Sequence, residues 1–188
     1  MIQAEINQKE EALNELIQIV PRMINERYFK VEKELMKESN DTSTILLQIQ
    51  EQEQWMKREF YYSMVMLICS YAESIMKKMA LYVQVKIPGG KSKDKKIKRI
   101  YNGIKNINDD ILKSLPTITT QWPNIDEFFD KRNNIAHGLD DDNIYETTNI
   151  TVEEHEILTA LNGAYKLLRE TANAVEKYKA KIRTKPIL

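Results

Sequence analysis

Arg132, Asn133 and His137 are the residues whose types and spacing could do chemistry together, set within Asp130-Lys131-Arg132-Asn133-Asn134-Ile135-Ala136-His137-Gly138. Imidazole titrates near neutrality, so a histidine can take or give a proton. Arginine stays charged and offers a rigid fork of donors to a phosphate, and an amide beside it can hold either the phosphate or the histidine in place. A fixed cation, an amide and an imidazole suit phosphodiester cleavage. Attack by an RNA 2′-hydroxyl needs a base, the 5′-oxygen leaving group needs an acid, and the phosphorane-like transition state needs positive charge. One chain offers one well-placed histidine for two proton roles. A twofold dimer that packs this segment against its mate would bring two histidines and two arginines into one cleft. The expected products carry a 2′,3′-cyclic phosphate, with no metal or cofactor.

The segment must sit on a helix. Ile125, Phe128, Phe129, Arg132 and Ala136 recur at spacings of three and four, so Arg132 emerges from an apolar stripe and needs a partner. His137 falls about 140° round an ideal helix from Arg132. The two converge only if the helix ends between them, and Gly138 is the residue type expected just past such an end. Glu73 lies on an apolar face between Cys69 and Ala80, where a carboxylate is costly unless paired. Two partners are open to it: Arg132, through a charge-assisted bond, or Lys77 one turn later.

Arg132, polar Asn133, three further residues and then His137-Gly138 resemble the signature of HEPN domains, and the order of elements around it resembles that family over nearly the whole chain. The Ser-Tyr-Ala-Glu context of Glu73 is also similar to the helix-two glutamate of many HEPN proteins, which favours its pairing with Arg132. The resemblance implies an all-helical, metal-independent endoribonuclease with a composite dimer site, often a toxin or a defence effector, with His137 and Arg132 catalytic and Asn133 assisting; Asn134 and Lys131 are weaker candidates by their position in the segment. The chain departs from one subgroup. Toxins paired with small nucleotidyltransferases carry a tyrosine two residues after the histidine, where this chain has Leu139, so inactivation by that route is not expected. An antitoxin or another partner protein remains open, as does a catalytically silent HEPN-like module that binds RNA or protein.

Composition agrees with a single helical domain. The 188 residues are 42% hydrophobic and 30% charged with zero net charge, as in soluble globular proteins. Lone Cys69 allows no intramolecular disulfide and reads as a small buried hydrophobe. With a polar N-terminus and no apolar run near the roughly 18 residues of a membrane span, a cytoplasmic location is expected. Charge is segregated along the chain. Lys86 to Lys105 holds seven lysines and one arginine against Asp94, whereas Asp140 to Glu156 holds seven carboxylates and no Lys or Arg. Lys91, Lys93, Lys95, Lys96, Lys98 and Arg99, with Lys131, form a candidate phosphate-contacting patch; the bland alternative is a solvated face. Asp140 to Asp142 could raise the pKa of His137 or repel RNA. No phosphate-cradling glycine loop, zinc spacing or nucleophile elbow is present.

The expected fold is an all-α bundle built on a long antiparallel hairpin. Leu13, Ile17, Val20, Ile24, Tyr28, Val31 and Leu35 mark a helix over about 4–37, which Pro21 should kink or split. A second helix over about 44–85 carries Met64, Ile68, Tyr71, Ile75, Met79 and Tyr82 on one face and Trp55, Tyr62, Met66, Cys69 and Ala80 on the other. A basic loop follows at 86–96, then short helices over about 94–115, the second capped by Asn108, and a connector from Pro116 to Gln121. The motif helix covers about 123–136, followed by an acidic loop at 139–150 with a brief extended piece over 144–150. A capping box, Thr151-Val152-Glu153-Glu154, opens the last helix, about 152–179. His155 lies off its apolar stripe and is read as surface.

Overall fold

In the computed structural model, the described residues are 2–38, 43–87, 96–140 and 150–184, with the backbone alone described at 38 and 137–140. They form seven helices and no strand: α1 (Ile2–Glu38), α2 (Ser43–Tyr82), α3 (Lys96–Lys105), α4 (Asp110–Lys113), α5 (Ile118–Gln121), α6 (Ile125–Asp140) and α7 (Glu154–Arg183). The fold is the expected all-α bundle.

Helices α1 and α2 run antiparallel. Tyr28 near the end of α1 donates to Met56 early in α2, at 3.0 Å. Lys78 late in α2 pairs with Glu5 at the start of α1, at 2.6 Å. Helix α7 runs alongside α2 in the same direction, with Tyr61 reaching Glu154 and Tyr71 packing on Tyr165. It is also tied to α1 by the Arg169–Glu10 pair. The core lies among these three helices, where Ile6, Ile17, Ile68, Ile75, Met79, Leu161, Leu168 and Val175 are all buried. Burying side chains of this kind contributes roughly 1.5–3 kcal/mol each relative to exposure.

Pro21 does not split α1, which runs 37 residues through it. The ring removes one backbone donor, and packing against α2 carries the helix across the gap. Along α2, Tyr62, Met64, Ile68, Cys69, Ile75, Met79 and Ala80 are buried as the two-faced reading required. Trp55 and Tyr82 are not; they are 55% and 38% exposed. Helix α4 is capped one residue later than expected, by Asp109, whose side chain accepts from the Ile111 amide at 2.9 Å. The segment read as a connector contains α5. The capping box of α7 also shifts, with Glu153 at the cap and Glu156 as its reciprocal partner. The extended piece expected over 144–149 lies outside the described residues, and Ile150 has no regular structure.

Candidate functional site

Helix α6 is held at three points. At its start, Trp122 is buried against Phe128 and Phe129, each ring centroid 5.9 Å away, and packs onto Gly163 of α7. On one flank Lys98 of α3 pairs with Asp126. On the other, Lys131 pairs with Glu156 and donates to the Thr151 carbonyl at 3.2 Å, fastening α6 to the entry of α7.

This frame buries Arg132, which is 9% exposed, among Ile125, Phe128, Phe129 and Ile135. One terminal nitrogen donates to Asn133 Oδ1 at 3.2 Å. The Nε has no hydrogen-bond partner among the described residues. No carboxylate among them lies within 4.0 Å of the guanidinium.

The partner favoured for Arg132 is engaged elsewhere. Glu73 binds Lys77 at 2.8 Å and Lys96 of α3 at 3.4 Å, so the alternative reading with Lys77 holds and the pair with Arg132 does not form. Docking of α3 supplies the second cation. Burial alone would raise the Glu73 carboxyl, but the two lysines outweigh it and hold it below its ordinary range. Burial also pushes the Cys69 thiol strongly up, against the opposing pull of Arg132, so Cys69 stays protonated and inert.

The end of α6 differs from expectation. The helix does not stop at Gly138 but continues to Asp140. Glycine tolerates helical dihedrals at a cost of about 1 kcal/mol relative to alanine, and the hydrogen-bond ladder runs through it. Positions 132 and 137 therefore stay about 140° apart round one continuous helix, and no helix end brings them together. Position 133, one turn before 137, shares the face of 137, while its side chain reaches sideways to Arg132. The imidazole of His137 lies outside the described residues.

Of the other candidates, Asn134 is exposed on α6. Lys91, Lys93, Lys95, Asp141 and Asp142 lie outside the described residues. Lys96, Lys98 and Lys131 are each bound to a carboxylate, so the expected basic patch is partly used to dock α3 and α6, and Arg99 remains exposed. Glu156, half-buried and pulled by Lys131, has its carboxyl held below the ordinary range despite the opposing effect of burial. His155 is exposed, with Nδ1 3.1 Å from Glu153.

A second guanidinium resembles Arg132. Arg58 of α2, half-buried, also has a buried Nε without a partner and no carboxylate within salt-bridge distance among the described residues. Its signal in the sequence was the series Trp55, Arg58, Tyr61 at intervals of three, which places an indole, a guanidinium and a phenol along one helix face. Among the described residues no helix is long and apolar enough to cross a membrane. Compared with known proteins, the chain matches no family model, no curated protein and no solved structure.

Proposed function

We propose that this chain is a metal-independent endoribonuclease of the HEPN type, a toxin or defence effector whose site is completed by a second copy. The observation that supports this best is Arg132: a buried cation with an unsatisfied Nε and no carboxylate partner among the described residues. A charge held out of water in this way is stabilised by an arriving anion, and a phosphate supplies the missing charge. Asn133 fixes the guanidinium from the side, so little reorganisation remains when the phosphate develops negative charge.

The continuity of α6 bears on how the two groups meet. Within one chain, positions 132 and 137 face different directions. In a twofold pair of α6 helices, His137 of each copy serves a cleft that also holds the guanidiniums. One imidazole takes the 2′-hydroxyl proton and the other delivers a proton to the 5′-oxygen. The same continuity favours a second reading, a catalytically silent HEPN-like module that binds RNA or protein. End-labelled RNA incubated in EDTA separates the two. Cleavage by the wild type leaving 2′,3′-cyclic phosphate ends, lost in His137→Ala and in Arg132→Ala, supports the enzyme. Cleavage retained in both variants removes the site, and no cleavage of any RNA pool favours the silent module.

A further inference from the structure

A groove of about 620 Å³ lies between α2 and the entry to α7, lined by Glu51, Gln54, Trp55, Lys57, Arg58 and Tyr61 on one side and by residues 151–154 on the other. Its volume is within the roughly 300–1,000 Å³ typical of small-ligand sites. Of its cations, Lys57 is neutralised by Glu53 at 2.6 Å, whereas Arg58 has no carboxylate within salt-bridge distance among the described residues. The carboxylates opposite are largely engaged. Glu153 caps α7 and lies beside His155, and Glu154 accepts from the Tyr61 hydroxyl at 3.4 Å. The positive end of the α7 dipole, about half an elementary charge, offsets part of theirs, and Glu51 is a further acceptor on the α2 wall. Beside Arg58 stands the indole of Trp55, 55% exposed.

We infer that this groove is a binding site for a nucleotide of single-stranded RNA, with Arg58 on its phosphate and the base stacked on Trp55. A guanidinium with no carboxylate partner among the described residues and an open indole one turn apart match the two groups a nucleotide offers: an anion, and a flat ring free of its stack. A base inside a duplex presents no open face to the indole, so the groove selects single strands. It would serve the reading given above as a flanking subsite. Arg132 packs toward α2 within electrostatic reach of Cys69, and Cys69 is about 17 Å along the helix from Arg58, a span for a short extended strand.

The test uses the full chain carrying His137→Ala, so that RNA is held and not cut. Only two tryptophans are present, and Trp122 is 1% exposed, so a change of tryptophan emission on adding a ligand reports Trp55. Single-stranded oligoadenylate in EDTA at low salt quenches the emission, and a duplex of equal length does not. By anisotropy of labelled oligoadenylate, Trp55→Ala weakens binding roughly 5- to 150-fold and Trp55→Phe restores most of it. Arg58→Gln weakens binding and lowers the salt slope by about one. Absent quenching, equal quenching by duplex, or quenching by oligolysine but not by RNA overturns the proposal, the last marking a site for basic peptides. Cleavage that needs His137 and Arg132 while Trp55→Ala and Arg58→Gln leave KM unchanged removes the groove and keeps the enzyme. Quenching with no cleavage by the wild type does the reverse.

Discussion

Arg132→Met should make the protein more stable while removing its cleavage activity. The guanidinium is 9% exposed, and its contacts among the described residues are one hydrogen bond, to Asn133 at 3.2 Å. Losing that bond, whose donor is charged, costs about 1.5–3 kcal/mol. Against it stands the effective penalty for holding an uncompensated ion out of water, several kcal/mol. Methionine fills comparable space among Phe128, Phe129 and Ile125 without a charge. The net expectation is a gain of about 1–3 kcal/mol, or at about 2–4 °C per kcal/mol for a chain of this size, a Tm higher by roughly 2–12 °C. Thermal unfolding followed by circular dichroism measures it directly. Inorganic phosphate should raise the Tm of the wild type by occupying the guanidinium and leave that of Arg132→Met unchanged. A variant that melts several degrees below the wild type would refute the reasoning, because Arg132 would then be satisfied within the fold and have nothing to offer a phosphate.

Gly163→Ala should destabilise, because a Cβ there would stand 2.6 Å from Trp122 Cδ1 and 3.3 Å from its Cα, so ring and backbone must both give way. After the helix-propensity gain of alanine, a net loss of about 1–2 kcal/mol is expected, and an unchanged Tm would mean that Trp122 does not fix the start of α6. Glu73 and Glu156 both have carboxyls depressed in the folded chain: burial opposes this, and their lysines prevail. Their stabilisation is present above the unfolded carboxylate pKa and is lost as pH falls through the lower folded value. Glu73→Gln should therefore flatten the decline of the urea midpoint between about pH 6 and pH 3, and a decline as steep as that of the wild type would count against this pairing.

The three long helices were legible because apolar residues at three and four spacing specify a buried stripe wherever the partner lies. Of the short elements, α3 and α4 fall in the span read as short helices, and α5 was missed. Ile118-Thr119-Thr120-Gln121 has too few residues to show a period, and two of its four are β-branched threonines, so α5 was read as a connector. Gly138 misled for a related reason: glycine favours helix ends but does not impose them, and the ladder through α6 depends on hydrogen bonds that no composition reveals. The ion pairs failed differently. Lys77 is one turn from Glu73 and could be foreseen, but Lys96 arrives only when α3 docks, and Lys131 finds Glu156 only when α7 packs beside α6. Trp55 was assigned to a buried face by its spacing alone, and it stands open because no helix among the described residues covers it.

Pro21 falls where α1 parts from the rest of the bundle. Beyond it, the buried apolar residue of α1 is Ile24, and in α2 ahead of Tyr62 it is Ile49. Two such contacts anchor the outer hairpin, whereas the inner part of α2 alone buries Tyr62, Met64, Val65, Ile68 and Cys69. The molecule thus has two tiers of cooperativity. Amide protons of the outer hairpin exchange through brief partings of α1 from α2, while those of residues 62–80 wait for the whole chain to open.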